Sequence, residues 1–189
     1  INLNTRVGLD VAIVRPFNIA GPRQSGAGGF VLPRFLAQAR LGLPLTVFGD
    51  GEARRAFSHV KDLSDGVIRA GRFGEGGVAY NLGNHENVLT VGDLADRVLA
   101  LTGSRSEKQF IDPRTIYGPD FTEANDKFPA AGRAISELGW QPQSGVDEIL
   151  RDTWEYMISA SAETFASLAG PKLMEQLVES QTKEAIAAD

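Results

Sequence analysis

Val11 to Val14 is a run of four apolar residues that leads straight into Arg15-Pro16-Phe17-Asn18-Ile19-Ala20-Gly21-Pro22-Arg23-Gln24. A short apolar run bounded by polar and turn residues reads as a buried strand, of the kind found in parallel sheets. Asn18, Arg23 and Gln24 then bring hydrogen-bonding groups to the carboxyl end of that strand. Open α/β sheets bind their ligands at this end. The expectation is therefore an α/β protein with a polar ligand at the end of its first strand.

Four further stretches follow in order. They are Phe48-Gly49-Asp50-Gly51, Arg55-Ala56-Phe57-Ser58-His59-Val60-Lys61-Asp62-Leu63, Tyr80-Asn81-Leu82-Gly83 and Glu137-Leu138-Gly139-Trp140. With Arg15–Gln24 they resemble the extended short-chain dehydrogenase/reductases that act on nucleotide sugars, the NAD-dependent epimerases, dehydratases and decarboxylases. The resemblance covers roughly residues 1–158. It implies the carboxyl-terminal portion of an NAD(P)-binding Rossmann-type enzyme with a small α/β substrate-binding lobe. The expected domains are 1–24 as the end of the Rossmann-type domain, 25–159 as the lobe, and 160–189 as a helical extension. Strands within about 56–83 would return to the Rossmann sheet.

Two motifs of that family are not met. Tyr80, Tyr117 and Tyr156 are followed four residues later by Asn84, Phe121 and Ala160, so no Tyr-x-x-x-Lys pair occurs. Gly71 to Gly77 does spell Gly-x-x-Gly-x-x-Gly. A dinucleotide loop must follow a strand and open a helix, whereas this stretch follows a helical pattern and precedes a strand. It reads as a plain turn. The expectation is a piece of a longer enzyme, with about 150 residues of nucleotide-binding domain elsewhere, inactive by itself.

Composition narrows the classes. The chain has 189 residues, 42% of them hydrophobic, and a net charge of −5. These values fit a globular domain and argue against a nucleic-acid surface. No run of about 18 apolar residues suggests a membrane span. Without cysteine there is no disulfide or thiolate chemistry, and His59 and His85 alone make a zinc site improbable. A cytoplasmic location is expected.

The local pattern predicts a helix tail in residues 1–6 capped by Gly8, then the strand Val11–Phe17. A helix over Phe30–Leu41 has Pro33 in its first turn. Leu45–Phe48 and Arg54–His59 flank Asp50-Gly51, a β-hairpin signal. Asp62 is expected to cap the next helix, and Val78–Leu82 to be a second buried strand. Thr90 caps a helix that Gly103 ends. Residues 104–129 read as one long irregular loop. Short and long helices follow at about 131–138 and from Val146 to Ile158, and Leu173, Met174, Leu177 and Val178 give a last helix its apolar face.

The residue roles come from the resemblance, each beside a structural alternative. Asn18 would contact the sugar diphosphate, or would bond its own turn. Pro16 and Phe17 would lie beside the nicotinamide of NAD. Phe30 and Val31 open a helix, whose free N–H groups and dipole suit a diphosphate; their side chains would pack in the core. Thr46 and Phe48 would read and stack the base, or join the core. Arg55 would grip a phosphate with its guanidinium fork, or pair with Glu52 or Asp50. Lys127 stands where many relatives have an arginine; Tyr117, Asp120 and Glu123 are further candidates for the sugar. His59 is read as structural. No catalytic residue is expected in this chain.

The function so implied is the nucleotide-sugar-binding part, for a UDP-sugar, of an NAD-dependent enzyme that oxidises the sugar at C4. The parent would be a 4-epimerase, a UDP-glucuronate decarboxylase or a dTDP-glucose 4,6-dehydratase, hence an isomerase or lyase. The alternatives are a non-catalytic nucleotide-sugar-binding module and a folding remnant that binds nothing. The parent is expected to be a homodimer, without nucleic-acid or membrane partners. Strands lacking neighbours would incline this piece to self-associate.

Overall fold

The computed structural model describes residues 6–122, 124, 126–170 and 173–175, with the side chain of Tyr117 left aside. The expected helix tail over residues 1–5, together with Glu123, Leu177 and Val178, lies outside the described residues. The chain divides into two units. One comprises 1–21, 54–89 and 124–149; the other comprises 22–53, 90–123 and 150–189. The units change over at 21/22, 53/54, 89/90, 123/124 and 149/150.

In the first unit, β1 (Ile13–Pro16) pairs in parallel with β6 (Ala79–Leu82), with Ile13 opposite Ala79 and Pro16 opposite Leu82. The parallel pairing is as expected, but burial is not. Tyr80 and Leu82 are buried, whereas β1 is half-buried to exposed. Among the described residues β1 has a neighbour on only one edge, which leaves its other side uncovered. Next, β2 (Ile19–Ala20) pairs in parallel with β5 (Ser58–His59). A third sheet has the order β7 (Val88–Thr90), β4 (Arg54–Ala56), β9 (Asp126–Lys127).

The core of this unit forms where α2 (Val60–Phe73) and α5 (Gly132–Leu138) close on β6. Leu63, Ala70, Tyr80, Leu82, Ala134, Leu138 and Trp140 are all buried there. Gly66 permits the approach. A Cβ at that position would lie 2.9 Å from Leu82 Cδ1 and 3.0 Å from Trp140 Nε1. The Trp140 indole donates to the Asp62 carbonyl at 2.8 Å. The Asp62 carboxylate does not cap α2 as the sequence suggests. It accepts from the backbone N–H groups of Gln143 and Ser144 at 3.2 and 2.9 Å, and so fixes the 141–145 loop. The cap is His59 instead, whose Nδ1 accepts from Lys61 N at 3.1 Å. An imidazole at the end of β5 reaches the first free N–H of the helix, which releases Asp62 for the more distant loop.

In the second unit, α1 (Val31–Leu41) ends at Gly42, whose φ of 69° is the left-handed cap. It packs against α3 (Val91–Thr102) and β3 (Leu45–Phe48). Thr90 caps α3 by accepting from Asp93 N at 2.9 Å, and Gly103 ends it with φ 66°, both as the sequence reads. The hairpin is a correction. Instead of pairing with β4, β3 pairs in parallel with β8 (Lys108–Ile111). Gly49 and Gly51 both have positive φ but are separated by Asp50, so the two-residue turn of a hairpin does not form. Beyond it, Gly51 O and Ala53 O accept from Gly92 N and Val91 N at 2.9 and 3.0 Å, which takes the place of a hairpin ladder.

Residues 104–129 are likewise not one loop. They contain β8, the short α4 (Arg114–Tyr117) and β9, each shorter than a sequence pattern can reveal. After α6 (Val146–Ser159), α7 (Ala162–Ala169) begins at Ser161, whose hydroxyl accepts from Thr164 N. Among the described residues no helix is long and apolar enough to cross a membrane.

One surface ion pair gives a pH-dependent signal. Lys61 Nζ donates to Glu148 Oε1, and this bond holds the Glu148 carboxyl below its ordinary range. A depressed folded pKa contributes stability that is present above the unfolded pKa and lost as pH falls through the folded one. Lys61→Met is expected to move the Glu148 titration upward, toward the ordinary carboxylate range. Carboxyl-carbon NMR against pH reads this directly, and an unmoved midpoint contradicts it.

Candidate functional site

The second unit holds a cavity of about 450 Å³. One wall is the Gly26–Gly29 loop that precedes α1. A second is the cluster Arg34, Gln38, Thr46 and Phe48, and a third includes Ile111, Ile116 and Leu173. Mostly apolar walls with a few convergent polar groups are the usual make-up of a small-molecule site.

The polar cluster is tightly bonded. Gln38 is 2% exposed. Its Nε2 donates to Thr46 Oγ1 at 3.0 Å, and its Oε1 accepts from Thr46 N at 3.1 Å. Arg34 Nη2 donates to Thr46 O at 3.0 Å. The Arg34 guanidinium also lies over the Phe48 ring, 4.4 Å from the centroid. The edge of β3 at Thr46 is thus clamped by α1, with the carbonyl able to accept one further bond. Sequence reasoning singled out Thr46 and Phe48 but missed Arg34 and Gln38. The signal was present: they are polar residues four apart on a helix otherwise apolar on that side, so they share a face.

The start of α1 is open. Phe30 is its N-cap with no side-chain cap bond, and no acidic residue stands in the first turn. The Phe30 side chain is not in the core: the residue is 55% exposed, and its ring lies against Gly28, 2.7 Å from where a Cβ would sit. Val31 is half-buried.

The first unit holds Asn18, Arg55 and Lys127. Asn18 has φ 41°, the left-handed region an asparagine tolerates. Its Nδ2 donates to Ala56 O at 3.1 Å and to Lys127 O at 3.2 Å, and its carbonyl accepts from Ser58 N at 3.1 Å. Asn18 and Lys127 are therefore brought together through main chain, with Asn18 Oδ1 as the remaining side-chain acceptor. Arg55 is 8% exposed and gives Nη1 to Arg54 O at 2.8 Å. Its neighbour Arg54 takes the exposed side of the strand, in a two-bond pair with Asp126 at 3.0 and 2.9 Å. That pair holds the Asp126 carboxyl below its usual range. At the end of β1, Pro16 is exposed and Phe17 N donates to Leu82 O at 2.9 Å. Among the described residues no group of three His, Asp or Glu side chains is placed to hold a metal ion.

A sequence model of the NAD dependent epimerase/dehydratase family matches residues 1–83. UDP-D-apiose/UDP-D-xylose synthase 2 of Arabidopsis thaliana is 30% identical over 174 residues, 82% of this chain and 45% of that protein. UDP-glucuronic acid decarboxylase 1 of Danio rerio is 33% identical over 153 residues, 79% of this chain and 34% of that protein. The chain thus spans less than half the length of these relatives. Among solved structures, UDP-glucose 4-epimerase of Thermotoga maritima, crystallised with UDP-glucose, superposes with a TM-score of 0.75 at 26% identity. The match covers 84% of this chain and 49% of that one. The parallel strand pairs, the order of the five motifs and these relatives agree: the chain belongs to the NAD dependent epimerase/dehydratase family, with the α/β fold of a Rossmann-type extended short-chain dehydrogenase/reductase.

Proposed function

We propose that this chain supplies nucleotide-sugar-binding parts of an NAD-dependent enzyme that oxidises a UDP-sugar at C4. The observation that carries the reading is the cavity of the second unit. It gathers the glycine loop before α1, the clamped edge at Thr46 and the Arg34–Phe48 stack. An aromatic or guanidinium plane takes a nucleobase by stacking, and an open helix start favours phosphate. In this reading Phe48 and Thr46 hold the base, and the amides near Phe30 and Val31 meet the diphosphate.

In the first unit, Arg55 is proposed for the diphosphate and Asn18 for the sugar. Because the Asn18 amide is engaged with Ala56 and Lys127, its contribution is the Oδ1 acceptor, suited to a sugar hydroxyl. Lys127 offers a point charge without a fork. Pro16 lacks an N–H and Phe17 has committed its own to Leu82, so the pair offers apolar surface and carbonyl acceptors. These fit a nicotinamide carboxamide, which can donate. The chemistry NAD supplies when bound is hydride acceptance from the sugar.

The chain is proposed to have no turnover alone, since it carries no Tyr-x-x-x-Lys pair to take the hydroxyl proton. A relative named as a UDP-glucuronic acid decarboxylase supports a decarboxylating parent, and a solved neighbour named as a UDP-glucose 4-epimerase supports an epimerising one. Calorimetry with UDP tests the binding reading. Phe48→Ala is expected to weaken UDP about tenfold, the lower part of the range for losing an aromatic platform. Equal affinity for the two proteins refutes a stacking role, and conversion of UDP-glucuronate with NAD by this chain alone refutes the predicted inactivity.

A further inference from the structure

We infer that α7 with Gly170, together with Leu173, forms a wall of the nucleobase pocket and limits the size of base it accepts. The inference rests on the reading of that cavity given above. This segment lies beyond the stretch that carries the family resemblance, yet Ala169, Gly170 and Leu173 all line the cavity.

The segment is fitted to the glycine loop at main-chain distance. A Cβ on Gly26 would lie 3.0 Å from both Leu168 O and Ala169 O. From the other side, a Cβ on Gly170 would lie 2.9 Å from Ala27 Cα. Gly170 also has φ 87°, a conformation that side-chain-bearing residues rarely adopt. Two glycines, one on each partner, thus allow a contact that any side chain would wedge open. Ser25 Oγ adds a bond to Ser167 O at 3.3 Å. The body of α7 is anchored as well: Phe165 and Leu168 are buried, and the Arg40 guanidinium lies 4.1 Å from the Phe165 ring centroid while donating to Met157 O.

Beside these contacts Leu173, itself 6% exposed, gives the cavity an apolar surface. The polar groups on Arg34, Gln38 and Thr46 can orient the edge of a base, but they set no limit on its far side. Leu173 and Ala169 provide that limit. A rigid apolar wall discriminates by excluding the larger ring system, and removing it relaxes the choice.

The test uses the full 189-residue chain and compares UDP with GDP by calorimetry. Leu173→Ala is expected to weaken UDP about fivefold, from lost apolar contact. It should leave GDP unchanged or tighter, so that the UDP/GDP preference falls. Leu173→Met should restore the preference. Gly170→Ala, which pushes the segment off Ala27, should lower the preference in the same direction. A general loss of stability would weaken both nucleotides and leave their ratio intact. Should Leu173→Ala fail to fold, Leu173→Trp carries the test by filling the cavity, with UDP binding lost at an unchanged melting temperature. Variants that fold and keep the wild-type preference overturn the inference while the pocket reading stands. A wild-type chain that binds no UDP overturns the pocket reading, and this inference with it.

Discussion

Trp140→Ala is expected to destabilise the first unit by about 3–5 kcal/mol, the usual cost of deleting a large aromatic from a packed core. The ring is completely buried among Leu63, Leu82, Ala134 and Leu138. Three consequences add. The cavity left between α2 and α5 cannot close, because Gly66 already lets the helix approach β6 as near as its backbone allows. The Asp62 carbonyl loses the indole donor. The loop over 141–145 keeps its bonds from Gln143 and Ser144 to the Asp62 carboxylate but is no longer fixed at its Trp140 end. Urea unfolding followed by far-UV circular dichroism measures the change; a loss under about 1 kcal/mol would mean that the core reseals, as few large-to-small changes allow. Trp140→Phe keeps most of the volume but not the donor. It is expected to fall between, short by about 1–3 kcal/mol for the abandoned acceptor.

Gln38→Leu is expected to be the next largest effect, about 2–4 kcal/mol, from two half-buried Thr46 groups stranded at about 1–2 kcal/mol each, the lower part of the range for buried groups. Leucine has nearly the volume of glutamine, so packing of α1 is preserved and the effect isolates hydrogen bonding. Thr46 N and Thr46 Oγ1 lose their partners at 3.1 and 3.0 Å. Of the bonds described from α1 to this edge, the one from Arg34 to Thr46 O remains, beside the pairing of β3 with β8. UDP affinity should fall together with stability, because the same edge is proposed to read the base. A melt unchanged from wild type would show that water replaces glutamine at this edge. The double change Gln38→Leu with Thr46→Val removes both sides of the bond and should recover part of the loss, since replacing both partners with apolar groups is close to neutral.

The motifs that reveal the family also build its fold. Asn18 bonds to Ala56 and Ser58, so the first motif is tied to the Arg55–Leu63 motif. Asp62 bonds to Trp140, tying that motif to the last. Gly83 approaches Phe17 and Pro129 so closely that a Cβ would sit 3.0 and 2.7 Å from their side chains. A sequence reader sees conspicuous polar residues and assigns them to ligands. The chain uses several of them first to hold segments distant in sequence together. Arg55, read as a binding fork for a phosphate, is buried, and its Nη1 donates to its neighbour's carbonyl.

Local patterns that depend on a few adjacent residues came through from sequence unaided: the helices capped by Thr90, Gly42 and Gly103, and the parallel character of the first strand; the turn expected over Gly71 to Gly77 begins only at Gly74, because Gly71 to Phe73 complete α2. Each follows from periodicity or from a backbone angle that one residue type favours, and such information is carried within a single turn. What only the tertiary structure decided was partnership. It paired β3 with β8 sixty residues on instead of with β4, gave the cap of α2 to His59, and placed Gln38 against Thr46 and Leu173 in the wall of a cavity. Those outcomes depend on which surfaces meet when apolar area is buried, and residues far apart in the chain carry no mark of one another until that burial brings them into contact.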